Sequence, residues 1–99
     1  MSNVVLTKEE REGYTLIKID LMNNVTPDDL KVITPLSVDC GKGVVISGRG
    51  PIWLYGYLIH YYHPTAWVAV YDPRIGAIVV QSHTREVKVG DVIDVGVLV

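Results

Sequence analysis

The stretch Gly43-Val44-Val45-Ile46-Ser47-Gly48-Arg49-Gly50-Pro51-Ile52-Trp53 decides the fold of this chain. Val44 to Ile46 form an unbroken β-branched run, the pattern of a strand buried on both faces. Ser47-Gly48-Arg49-Gly50 interrupts it. Pro51, with a fixed φ and no N–H, suits the first position of a helix. The apolar and aromatic run from Ile52 to Tyr62 continues that helix, and His63-Pro64 ends it. The pattern is strand, glycine loop, helix, over 43–46, 47–50 and 51–62. Such a loop directs bare backbone N–H groups and a helix N-terminus at one point, and both favour an anion. Arg49 adds a planar, permanently charged donor there. Glycines at this spacing serve a tight turn equally well, so the pattern alone selects no ligand.

Working outward, Ala66 to Tyr71 is a second apolar strand, which completes a β-α-β unit with parallel strands. Asp72-Pro73-Arg74 turns the chain, and Gly76 to Gln81 returns as the second arm of a hairpin. Upstream, Val4 to Leu6 reads as a short strand, Glu9 to Gly13 as a charged turn, and Tyr14 to Leu21 as a half-exposed strand. Thr26-Pro27-Asp28-Asp29 carries the cap, proline and acids of a helix start, so a helix of about two turns is expected there. Residues 87–91 and 92–99 supply one or two last strands. The expected fold is a single α/β domain over 1–99: a small mixed sheet with one long and one short helix.

Composition narrows the function. A hydrophobic fraction of 48% excludes disorder, and no apolar run reaches the ~18 residues of a membrane span. Met1-Ser2-Asn3 lacks the charged region of a signal peptide, which predicts a cytoplasmic protein. One cysteine, Cys40, excludes an intrachain disulfide and a cysteine-rich zinc site. The net charge of -2 is not that of a general duplex nucleic-acid binder but allows an anion in a local pocket.

Strand polarity then sorts the polar side chains. Ser47, Gly48, Arg49 and Gly50 follow the first parallel strand, and Asp72 and Arg74 follow the second, so all lie at the carboxyl end of the sheet, where α/β proteins bind ligands. His60, His63 and His83 are predicted at the opposite end, with His60 and His63 on one helix face. Six strand residues, roughly 20 Å at ~3.3 Å each, separate the two groups. Asp72 and the histidines therefore cannot serve one site within a subunit. Each has an ordinary structural role as well: histidine at a helix C-terminus partners the dipole, and Asp-Pro-Arg is a common turn. No hydroxyl–histidine–acid triad is legible. Trp53, Tyr57, Tyr61 and Tyr62 read as packing rather than as a stacking platform.

The stretch from Gly43 to Leu54, with Val68-Ala69-Val70-Tyr71-Asp72-Pro73-Arg74, Val79-Val80-Gln81-Ser82-His83 and Gly90 to Val95, resembles the CRISPR-associated ring nuclease family called Csx-three. The resemblance covers most of residues 34–95. It implies a minimal Rossmann-like fold and an accessory role in type III CRISPR antiviral defence. It also implies manganese-dependent cleavage of cyclic tetraadenylate, which would switch off the antiviral signal. Dimers that stack head to tail into tetramers or filaments would sandwich the ligand. His63 and Asp72 carry over as the catalytic pair, and Ser47, Gly48, Arg49, Gly50 and Arg74 as ligand contacts. Asp72, His60, His63 and His83 are the candidate manganese ligands. The alternatives are a module that binds or senses cyclic oligoadenylate or short RNA, and an exoribonuclease that deadenylates RNA 3′ ends.

Overall fold

The computed structural model describes residues 2–98; Met1 and Val99, which fall in the first and last stretches read above, lie outside the described residues. The elements run β1 (Val4–Arg11), β2 (Tyr14–Leu21), β3 (Gly43–Gly48), α1 (Ile52–Tyr61), β4 (Trp67–Asp72), β5 (Gly76–Ser82) and β6 (Val92–Ile93). They form one six-stranded mixed sheet in the order 1-2-3-4-5-6. β2, β3 and β4 are parallel, and β1, β5 and β6 join antiparallel at the two sides. The α/β class stands, with one α-helix among the described residues.

The second expected helix is a short 3-10 segment, Pro27–Lys31. Five residues close too few backbone bonds to offset helix nucleation. The segment is pinned by the buried Asp29, whose Oδ2 accepts the Thr26 N–H at 2.9 Å and whose Oδ1 accepts the Asn3 N–H at 2.8 Å. The long helix is also shorter than expected. Pro51 is its N-cap in extended conformation, and the helix stops at Tyr61. His63 therefore lies beyond it, in the turn that follows, and shares no helix face with His60.

Both crossover connections lie on one face of the sheet. Leu54, Leu58 and Tyr62 from α1 and its end pack with Ile17, Ile19, Val44, Ile46 and Val68, and Leu30, Ile33 and Leu36 from the β2–β3 connection join them. The opposite face, with Leu16, Val45, Trp67, Ala69 and Val79, is covered by Val87, Ile93, Val95 and Leu98 of the C-terminal segment. A doubly wound sheet reverses its strand order and places helices on both faces. Here the sheet winds one way throughout, so the β3-α1-β4 unit is present, but no strand-order reversal occurs among the described residues.

This two-sided covering explains why β2 departs from the half-exposed strand expected. Thr15, Leu16 and Ile17 are fully buried because β1 and β3 flank the strand and both faces are packed. β1, in turn, absorbs the charged stretch expected to be a turn. Its pairing runs to Arg11↔Tyr14, leaving Glu12 and Gly13 as the turn. Charged residues suit an edge strand because they discourage pairing with another chain. At the other side, 87–91 is not a strand. Gly90 N–H donates to Val79 O at 2.8 Å and Val79 N–H to Asp91 O at 2.9 Å, which caps the β5 edge with a turn.

A cleft at the carboxyl ends of the parallel strands

Gly48 sets the shape of the site. Its φ is +127°, and a Cβ there would lie 2.4 Å from the Ile19 carbonyl oxygen of the neighbouring strand. Only glycine permits both the turn and the approach. The chain then leaves the sheet through Arg49 and Gly50 into α1, and Tyr55 Oη donates back to Gly48 O, which ties the helix to the loop. Pro51 O accepts the N–H groups of Leu54 and Tyr55 at 3.1 and 3.3 Å. The first turn of the helix carries no acid and no side-chain cap.

A cleft of about 930 Å³ opens beside this loop, lined by Lys18, Asp20, Ser47, Gly48, Arg49 and Tyr71, with Pro73 and Leu98 among its other walls. Strand register explains the grouping. Lys18 pairs with Ser47, and Ile46 pairs with Val70, so Lys18, Ser47 and Tyr71 form one row across β2, β3 and β4. Side chains alternate along each strand. Ile17, Ile46 and Val70 pack toward α1, so this row faces the other way, toward the C-terminal segment. Ser47 is buried on the cleft floor. Leu98 N–H donates to Tyr71 Oη at 3.4 Å and brings the C-terminal segment against the cleft wall.

Of the residues expected to bind a ligand, Ser47, Gly48 and Arg49 line the cleft. Gly50 faces Leu54 and Ile19 instead, on the helix side. Arg74 is engaged elsewhere. Its Nε and Nη2 donate to the two carboxylate oxygens of Asp72 at 3.2 and 3.0 Å, and its backbone N–H donates to Oδ1 at 2.9 Å. These bonds hold the Asp72 carboxyl below the usual carboxylate range, with the Arg74 side chain the larger cause. Asp72 is thus an anion at neutral pH and a poor proton acceptor while Arg74 stays on it. That chemistry suits a cation ligand better than a general base.

The histidines lie at the far end. Trp67 pairs with Ser82 there, whereas Asp72 pairs with Gly76 at the cleft end. The rings of His63 and His83 meet edge to face, with centroids 4.9 Å apart. The His63 carbonyl is bonded by Gln81 Nε2 at 2.9 Å and by His83 Nε2 at 3.1 Å. A carbonyl oxygen only accepts, so Nε2 of His83 is the donor in that second contact. His60 is exposed in the last helical turn. Among the described residues, no three His, Cys, Asp or Glu side chains gather closely enough to hold a metal ion. A second hollow of about 380 Å³ opens at this end, lined by Tyr61, Tyr62, Pro64 and the exposed Cys40 among others. Tyr62 is buried core, as read from the sequence, and Trp53 and Tyr57 pack against that core, whereas Tyr61, also expected to pack, is exposed. No helix among the described residues is long and apolar enough to cross a membrane.

The sequence reading missed Lys18, Asp20, Tyr71 and Leu98. The usable signal was parity: in the parallel strands, the residues opposite Ser47 share its face. Comparison with known proteins adds the family. An uncharacterized protein of Aquifex aeolicus (strain VF5) is 50% identical over 91 residues, which cover 87% of this chain and 82% of that relative. A family model described as CRISPR-associated protein (Cas_csx3) matches residues 18–94, which hold the cleft lining apart from Leu98, the Asp72–Arg74 turn and all three histidines, and the chain belongs to that family.

Proposed function

We propose that this protein is a manganese-dependent ring nuclease that binds cyclic tetraadenylate and cleaves it, ending an antiviral signal of type III CRISPR systems. The observation that carries this reading is the cleft, where a glycine turn, the Ser47 hydroxyl and the Arg49 guanidinium converge. Guanidinium and backbone N–H groups are natural phosphate donors. Membership of a CRISPR-associated family supplies the biological setting. On this reading the fold is a minimal relative of the Rossmann-like domains of that setting, reduced to one β-α-β unit. The size of the cleft also supports a shared site. It suits one drug-sized ligand, whereas a ring of four nucleotides is larger and needs a second surface. Dimers stacked head to tail would provide one, with the histidine end of one dimer closing the cleft of the next.

The donor types fit manganese, which accepts carboxylate and imidazole together. They fit only between molecules, because Asp72 and the histidines lie at opposite ends of the sheet. Asp72, with His63 and His83 of a stacked neighbour, would hold the ion. When bound, such a cation would supply positive charge against the phosphate oxygens. Arg49 and the Ser47 hydroxyl orient the phosphodiester. Attack on phosphorus by a ribose 2′-hydroxyl or a water would break the bond to the 5′ oxygen; the attacking oxygen gives up its proton to solvent, and the leaving oxygen must gain one. Where Asp72 and His83 hold the ion and His63 is not itself a ligand, the His63 imidazole would supply that proton.

A binding module without turnover is the second reading. The Asp72–Arg74 fork favours it, because it occupies both oxygens of the one carboxylate the mechanism needs. Incubating the protein with labelled cyclic tetraadenylate, with and without manganese, separates the two. Loss of the ring only with metal is expected. Stable binding without loss would establish the module, and no binding of any oligoadenylate would overturn both. Competition by a linear oligoadenylate with a free 3′ end tests the exoribonuclease alternative.

A further inference from the structure

We infer that Lys18, and not Arg74, is the second phosphate-binding cation of the cleft beside Arg49. This rests on the reading that the cleft takes the anionic cyclic tetranucleotide, and it assigns the contacts within that site.

Placement comes first. Lys18 is opposite Ser47 in the β2–β3 register and lines the cleft, whereas Arg74 does not. Availability comes second. Among the described residues the Lys18 ammonium forms an ion pair with Glu9, at 3.4 Å, and the two side chains are 44% and 47% exposed. An ion pair that open is weak and screened by salt, so a phosphate competes with it easily. Glu9 is also held by Arg11 at 2.7 Å and is not left unpaired when Lys18 turns away. The four-carbon lysine stem permits that swing. Arg74, by contrast, has its fork filled by both oxygens of Asp72. Withdrawing it breaks two charge-assisted bonds. Charge balance comes third. The cleft lining holds two basic residues, Lys18 and Arg49, and one acidic residue, Asp20, for a formal charge of plus one. Without Lys18 the lining is neutral. Anion binding there depends on Lys18 as much as on Arg49. Arg74 is then a positioning residue that acts through Asp72.

The test is a titration of labelled cyclic tetraadenylate in EDTA, repeated over a range of salt, with each variant's fold checked by thermal unfolding. Lys18→Gln is expected to weaken binding on the order of tenfold at low salt. It should also lower the slope of log affinity against log salt by about 0.7, the loss of one phosphate contact. Lys18→Arg keeps the charge and is expected to bind. Arg74→Gln is expected to keep wild-type affinity. Glu9→Gln, on the exposed edge strand, releases Lys18 and should tighten binding a few-fold. That gain should vanish in the Lys18→Gln background. Unchanged affinity and slope for Lys18→Gln, with Arg49→Ala still defective, would overturn the assignment and leave the ligand reading intact. So would a loss in Arg74→Gln equal to that in Lys18→Gln, or an equal Glu9→Gln effect in both backgrounds. Failure of the wild type to bind would overturn the ligand reading and this inference together.

Discussion

Gly48 and Gly56 predict opposite answers to one substitution. At Gly48 the φ of +127° and the Ile19 carbonyl 2.4 Å from a would-be Cβ make alanine strained and crowded. Gly48→Ala should destabilise by about 1–3 kcal/mol in urea unfolding. Gly56 is exposed within α1, its φ is not positive, and nothing lies within 4 Å of a Cβ. Gly56→Ala should stabilise by about 0.5–1 kcal/mol through helix propensity. Asp72 gives a second expectation. Its carboxyl is held low by Arg74, so its folded value lies beneath its unfolded one. The stabilisation this provides is complete above about pH 4 and is lost as pH falls through the lower folded value. In Arg74→Gln the Asp72 carboxyl should titrate closer to the ordinary range, read by carbon NMR of that side chain; an unmoved titration would mean the fork is absent in solution. At this scale the sequence was most informative where neighbours in sequence are neighbours in space. Ser47, Gly48 and Arg49 are consecutive and reach the cleft together. Lys18 and Tyr71 reach it through register, which residue type alone does not reveal.

At the scale of elements, β3 and β4 were legible because burial on both faces writes an unbroken apolar run. β1 was not, because an edge strand exposes Lys8 to Glu10 and so imitates a turn. The short helix failed for a different reason. Its capping signals are real, since Asp29 accepts the Thr26 N–H as a capping box does and also ties Asn3, but only five residues follow the cap and they close as a 3-10 segment. The end of α1 shows how one side chain joins elements. Tyr62 is buried and donates its hydroxyl to Leu36 O at 2.7 Å, clamping the β2–β3 connection to the helix. Tyr62→Phe should cost about 1 kcal/mol, the loss of one hydrogen bond to a part-buried carbonyl. Burial also pushes the phenol up to about 12. Its protonated form is the one the fold favours, so this contribution persists below the unfolded value near 10 and disappears as pH rises through about 12. In an alkaline titration followed by phenolate absorbance, the latest-ionising tyrosine should be missing from Tyr62→Phe. If the latest step remains, Tyr62 is not the buried phenol in solution.

At the scale of the whole molecule, the parallel strands give the sheet a direction, and the proposed chemistry depends on it. Asp72 ends β4 on the cleft side, and His63 and His83 meet beyond the start of that strand. The six residues of β4, Asp72 included, span roughly 20 Å from one end to the other. This separation was legible in advance, since a β-α-β unit fixes which residues follow a strand and which precede it. The one-way winding was not, because nothing local in the sequence states which face a connection crosses. If a phosphodiester is cut with help from both ends, each site must combine two molecules. A head-to-tail contact of that kind is heterologous and can propagate. Specific activity should then rise with protein concentration through the range where stacks assemble. Asp72→Asn preserves size and removes the charge, and His63→Ala removes the imidazole, so each alone should lose most manganese-dependent cleavage of cyclic tetraadenylate. Mixed together, they should recover part of it. In a mixed stack some contacts pair the intact cleft end of one variant with the intact histidine end of the other. A site contained in one subunit admits no such rescue, because every subunit would lack one of the two groups. The measurement is a complementation assay with labelled ring, with light scattering on the same samples to report stacking. Stacks without recovery would remove His63 from the reaction and leave the histidine end a structural contact.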